Sequence, residues 1–416
     1  ENSSEYLDLE TGVFNRKAFI TLTRYNLDIR KKLSFLSIKI ENLTYIYNTI
    51  ERQTSIELIN NVIQFLENVV GRRKVYKLTE DIFVIELSSD ERQKTVQIER
   101  IHSRFFEKFN FGEISISLNV LMNLIYCPED ATTVEDTIDL IENSFSEIVA
   151  GLNKDVVRAN KSILVKRRRE RKILEILEKA IETESFEVIY QPIYSLREER
   201  YTVAEALLRL KSDEMGFVSP DEFIPLAEQN GMILRIGNLV FKNVCKFLAE
   251  TKIWEWGIEY VFVNLSVIQC MQEKLSEQLL EIMDSYNLQY KYVNLEVKET
   301  TVSATGKNLL KNMNKLIEKN INFSLDDYGL DFSNTTNIIK YPFTTIKIDK
   351  TMVWASMQND EAKKILSQTI KMIKELGLLV VAEGVETREQ SDEIINMDVD
   401  YIQGNFYTFP LRKQDF

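Results

Sequence analysis

The chain has 416 residues, enough for two or three domains, and 44% of them are hydrophobic, enough for folded cores. Its 52 Lys and Arg against 64 Asp and Glu give a net charge of −12, which argues against non-specific binding to a nucleic-acid polymer. One histidine and three scattered cysteines (Cys127, Cys245, Cys270) exclude a Ser-His-Asp triad and the usual His/Cys zinc site, so any metal must be held by oxygen: magnesium, manganese or calcium. An anionic substrate stays compatible with this charge, because divalent cations invert a carboxylate cluster locally. No apolar run reaches membrane-spanning length and no signal peptide is visible. The expectation is a cytoplasmic protein, or the cytoplasmic part of a longer, membrane-anchored one.

Residues 1–152 alternate strand and helix. KLSFLSIKI reads as an apolar strand and SIELINNVIQFLENVV as an amphipathic helix. KVYKL and IFVIEL read as two strands joined by the tight turn Thr79-Glu80-Asp81. A helix through His102 follows, then one alternating strand, EISISLNVLMNLIY, and an amphipathic helix from Thr133. Together these predict an α+β unit with one mixed sheet. Residues 153–172 read as a helical joint, whose basic run Lys166 to Lys172 suits a solvated helix face.

From residue 173 to 416 the alternation becomes regular. The strands are FEVIYQPIYSL, YTVAEALLRL, YVFVNLSV, YVNLEVK, INFSLDDY, TTIKIDK, LLVVAEGV and DYIQGNFYTF, most of them separated by helical runs. This predicts a (β/α)8 TIM-type barrel. Only REER joins the first two strands, too short for a parallel crossover, so the first strand should be antiparallel.

Nearly every one of these strands finishes on a polar residue: Glu205, Asn264, Glu296, Asp326 and Asp327, Lys347, Glu383, Gln403. In such barrels the C-terminal strand ends carry function. Cations clamping a phosphodiester need oxygen ligands converging from several strands, with a basic group nearby. Adjacent strand residues face opposite ways, so Asp326 and Asp327 share a site only where the strand breaks, a break that Gly329 marks. Arg209 lies on the Glu205 face, placed to hold a phosphate.

These motifs resemble the EAL domain, the cyclic di-GMP phosphodiesterase family. YQPI (190–193), EALLR (205–209), VNLS (263–266), the ExxE of Glu296 and Glu299, LDDYG (325–329), KID (347–349), AEGVET (382–387) and the Gln403-Gly404 pair fall in family order. The resemblance implies Mg2+ or Mn2+ held by Glu205, Asn264, Glu296 and Asp326, with Asp327 completing a second position. It implies Lys347 orienting the nucleophilic water, Glu383 and Gln403 completing the site, and Gln191 and Arg209 on the dinucleotide. The reaction would open cyclic di-GMP to linear pGpG. The loop DDYGLDFSN departs from the family's DDFGTGYSS at Leu330 and Asp331, while Glu299 and Ser333, at loop-anchoring positions, are kept. Lys298 stands where the family usually has threonine.

Residues 8–19 (DLETGVFNRKAF) resemble the opening motif of GGDEF diguanylate cyclases. The hairpin where GGDEF should stand reads TEDIF, and Lys39 replaces an expected metal-binding aspartate, so cyclase activity is not expected. The resemblance thus implies a phosphodiesterase carrying a degenerate cyclase-like regulatory module, a homodimer, and a possible protein partner through that module. The alternative is a catalytically weak or inactive cyclic di-GMP receptor that signals by binding.

Overall fold

A computed structural model describes residues 3–111, 114–145, 156–159, 161–329 and 335–416. Leu330, Asp331, Ser333 and Asn334, and the expected boundary at 152, lie outside the described residues. The chain divides into two compact units, Glu1–Arg169 and Glu170–Phe416.

In the first unit the strands are β1 (Phe14–Asn15), β2 (Leu33–Ile40), β3 (Val75–Lys77), β4 (Ile82–Glu86), β5 (Phe109–Phe111), β6 (Ile114–Ile116), β7 (Val120–Cys127) and β8 (Val156–Arg158). A mixed sheet runs in the order β1-β3-β4-β2-β7-β8, and β5 pairs with β6 apart from it. Val75 to Glu86 form the expected antiparallel hairpin. Apolar clusters line both faces of the sheet, one around Leu58, Val62 and Phe83, the other around Phe19, Phe35 and Val84. The resemblance-carrying motif has local structural work: Thr11 donates twice to Asp8, and Asn15 caps the helix Arg16–Asp28 by accepting from Ala18 N.

Two expectations need correcting here. EISISLNVLMNLIY is two strands in different sheets, not one. The chain breaks at Ser117–Asn119, where the Asn42 side chain donates to Ser117 O at 3.0 Å and accepts from Asn119 N at 2.9 Å. The joint at 153–172 is not helical throughout: β8 pairs in parallel with β7, and the helix starts only at Ser162 and runs to Glu182. All three cysteines are free and buried.

The second unit is the expected barrel. Its strands are β9 (Glu187–Ser195), β10 (Arg200–Ser212), β12 (Tyr260–Leu265), β13 (Val293–Lys298), β14 (Asn322–Tyr328), β15 (Thr345–Ile348), β16 (Leu379–Ala382) and β17 (Tyr401–Ile402); β11 (Gly216–Val218) is a short antiparallel extension of β10. From β10 through β17 successive barrel strands pair in parallel, and β9 closes the ring antiparallel to both β17 and β10. The period-2 alternation sorts the side chains. Val261, Val263, Leu295, Leu325, Ile346 and Val380 join the large apolar cluster shared with the surrounding helices. Ile193, Val203, Phe262, Val381 and Tyr401 form a separate small cluster from the opposite strand faces, the floor of the barrel interior. Because Glu205 is two residues beyond Val203 and Asn264 two beyond Phe262, the polar strand ends lie directly above that floor.

Among the described residues no helix is long and apolar enough to cross a membrane.

Candidate functional site

At the mouth, the sequence places one lysine among acids, and the barrel brings them into contact. Lys347 on β15 is fully buried, and its Nζ lies 3.0 Å from Glu205, 2.8 Å from Glu296, 3.5 Å from Asp326 and 2.7 Å from Glu383. Its Nζ lies over the Phe262 ring of the floor, 5.6 Å from the ring centroid. Glu205 is the hub. Its carboxylate accepts from Asn264 Nδ2 at 2.9 Å, from Lys347 Nζ at 3.0 Å and from Gln403 Nε2 at 2.7 Å. Gln403 also donates to Gln191 Oε1 at 3.1 Å, and Gln191 donates to Thr408 O at 3.0 Å. A side chain on residue 404 would collide with the Val385 backbone, so Gly404 is what lets the Gln403 turn sit against the loop that carries Glu383.

The two aspartates do share the site. The β14–β15 register shifts between Leu325 and Tyr328, Asp327 takes a left-handed φ of 56° and Gly329 one of 98°. That bulge turns Asp327 to the side of Asp326. Oxygen atoms of Asp326, Asp327 and Glu383 all lie within 4.8 Å of one another.

Electrostatics follow from one ammonium facing several buried carboxylates. Burial alone would lower the Lys347 pKa, yet Asp326, Glu205, Glu296 and Glu383 hold it well above the usual lysine value. Burial acts to raise Glu205, but Lys347 and the amides of Gln403 and Asn264 outweigh it and bring it below the ordinary value. The others carry the excess. Burial and then Glu205 push Glu296 far up, burial raises Asp326 against the pull of Lys347, and burial pushes Glu383 up to about 8.

These residues fit a hard divalent cation. The donors are carboxylates and an amide. Both oxygens of the fully buried Glu296, and Oδ1 of Asp326, lack a hydrogen bond; Lys347 approaches Glu296 Oε1 off the angle of one. Buried acceptors in that state are what a cation satisfies.

Arg209 is half-buried on β10, donates to Leu208 O at 2.9 Å and feels the charges of Glu205 and Glu187. Glu299 stands apart from the Lys347 contacts: it opens the helix Glu299–Ile317, where its charge is felt by Tyr328. Sequence reading missed Asp221 and Glu228, whose charges reach Lys298 at the rim. The Asp and Glu of the amphipathic helix Pro220–Gln229 read as ordinary surface, so only the short strand β11 ahead of it could have signalled a rim position.

Fold and site together define a (β/α)8 barrel whose C-terminal strand ends gather several carboxylates, an amide and one buried lysine. Residues 174–410, more than half the chain, match the EAL domain, and the chain belongs to that family.

It is 26% identical to the signaling protein YkoW of Bacillus subtilis, over 82% of this chain and 43% of the relative. It is 27% identical to the cyclic di-GMP phosphodiesterase PdeL of Escherichia coli, over 58% of this chain and 67% of the relative. Among solved structures it resembles the MucR phosphodiesterase in complex with c-di-GMP, at 26% identity and a TM-score of 0.56, covering 58% of this chain and 98% of that one. The chain spans less than half the length of YkoW.

Proposed function

We propose that residues 173–416 hydrolyse cyclic di-GMP to linear pGpG with Mg2+ or Mn2+, and that residues 1–152 form a GGDEF-like module that regulates without cyclase activity. The observation that carries this reading is the Lys347 cluster: a surplus of buried oxygen ligands around one ammonium at the barrel mouth. EAL-domain relatives such as PdeL are cyclic di-GMP phosphodiesterases, and MucR is known in complex with the dinucleotide.

Glu205, Asn264, Glu296 and Asp326 would hold the first cation, and Asp327 would complete a second position. Bound divalent cations supply Lewis acidity and a lowered pKa for water. Lys347, locked by its carboxylates, would orient the attacking water through its N–H groups and balance charge growing on the phosphate. Glu383, 2.7 Å from that ammonium, would help hold it in place. Arg209 would grip a non-bridging phosphate oxygen with its guanidinium. Gln191 and Gln403, joined to each other, with Gln403 also bound to Glu205, would fix the wall against which the dinucleotide lies. Glu299 would act at a distance, through the loop after β14. The water oxygen bonds to phosphorus and the bond to one ribose 3′ oxygen breaks; the water's proton ends on that oxygen, and the phosphate stays on the 5′ side.

In the first unit, Lys39 lies 3.9 Å from Asp81 in the TEDIF turn, and Thr79 donates to Asp81 at 2.7 Å. A lysine there supports the loss of cyclase chemistry. The unit would serve as a dimerising or partner-binding module.

A second reading, a receptor that binds cyclic di-GMP without cutting it, draws support from the Lys298 ammonium on Asp327 at 2.7 Å and from Leu330 and Asp331 in the loop sequence. Incubating the protein with cyclic di-GMP and Mg2+ or Mn2+, while following pGpG and binding heat, separates the two. Turnover abolished by Glu205→Ala is expected. Binding without turnover selects the receptor, and absence of binding removes both readings.

A further inference from the structure

Lys298 follows the last inward residue of β13 by two positions, and its Nζ lies 2.7 Å from Asp327 Oδ2. Asp327 is the residue that the bulge turns into the cluster, where its oxygen shares a 4.8 Å group with Asp326 and Glu383. An ammonium and a divalent cation therefore compete for one carboxylate. Four acids face this lysine: Asp327, Asp326 and Asp221 hold its proton against the effect of burial, and Glu228 on the helix Pro220–Gln229 feels its charge. Glu205 and Glu296, set deeper, lie outside this competition. Glu205, Glu296 and Asp326 cluster on Lys347, and Glu296 keeps both oxygens unbonded in a fully buried position.

We infer that Lys298 is a tethered counter-cation at the second metal position, so that the mouth takes one divalent cation readily and a second only when Lys298 leaves Asp327. This rests on the reading of the mouth as a divalent-cation site. The side chain is 57% exposed, so it has room to swing outward. Occupancy by Lys298 leaves the first cation and the dinucleotide surface intact and weakens the assembly needed for cutting. The same residue thus sets where the protein lies between phosphodiesterase and receptor.

The test needs no nucleotide. Mn2+ is titrated into the full chain, bound metal is counted by equilibrium dialysis, and paired Mn2+ ions are detected by their exchange-coupled EPR signal. One tight Mn2+ is expected for the wild type, with a second bound roughly tenfold or more weakly, as repulsion between charges a few ångströms apart demands. Lys298→Met, which keeps length and removes charge, should tighten the second ion by about that factor and bring up the coupled signal. Lys298→Arg should behave as wild type. Two equally tight ions in the wild type, or a Lys298→Met titration that matches it, overturns the role of Lys298 alone. No Mn2+ bound by any variant overturns the cation site beneath it as well.

Discussion

Both units set a lysine from a sheet strand beside carboxylates, with opposite results. In the first unit Lys39 faces one carboxylate among the described residues, Asp81 at 3.9 Å, and each side chain is 37% exposed. The charges balance and water screens them, so nothing more is required. In the barrel Lys347 is fully buried against four carboxylates, and the surplus appears as Glu383 pushed up to about 8 and Glu296 pushed well above its ordinary value, burial being the first cause for both. Charge ratio and burial, not the presence of charged residues, separate a site that calls for a cation from a turn that does not.

The largest way to break this contrast is at its centre. Lys347→Met leaves the carboxylates without their ammonium and should cost on the order of 10³-fold in pGpG formation, as loss of a preorganised charge donor does. A rate within tenfold of wild type would show that Lys347 does not face the reacting phosphate. Next, Mn2+ at a hundred times its Kd should stabilise the protein by about 2.7 kcal/mol, read as a Tm rise that a chelator reverses. A double Glu296→Gln, Asp326→Asn variant should lose that rise.

The pH response sharpens the same point. Burial holds the Glu383 carboxyl at about 8, above its ordinary 4.5, so the metal-free folded state binds a proton that the unfolded chain has lost. Its contribution to stability is complete below about 4.5 and disappears as pH rises through about 8. Urea midpoints in chelator should fall from pH 5 to 8, and Mn2+, taking the proton's place, should flatten the slope. A metal-free midpoint that climbs over this range contradicts the surplus-charge account. The smallest effect belongs to the turn: Lys39→Ala should cost less than about 1 kcal/mol and leave hydrolysis unchanged, because an exposed single pair contributes little.

The barrel was legible because each strand is buried on both faces and short of its end reads as an apolar run, after which the polar residue stands out. Glu205, Asn264, Glu296 and Lys347 obey this rule, and the four-residue REER connection gave the antiparallel β9. Asp327 was harder. Its partnership with Asp326 depends on a bulge and a left-handed backbone, of which the sequence carries only the neighbouring Gly329. The Lys298–Asp327 pair was out of reach for the same reason, since strand alternation gives no position for a residue past the bulge. In the first unit, the polar side chain of Asn42 splits an alternating run from 77 residues away, a contact that no local pattern encodes.

The Gln191–Gln403–Glu205 chain, centred on Gln403, spans sequence separations of 212 and 198 residues, and Tyr190 exchanges backbone hydrogen bonds with Leu411. The earliest barrel strand is therefore sealed by the latest. During synthesis the acids of β10, β13 and β14 emerge long before the segment that closes their ring, and contacts of such separation form slowly. Residues 401–411 supply the contacts that join the last part of the ring to β9. A chain cut before Tyr401 would retain most of the ligands and still lack a seam on which to hold them.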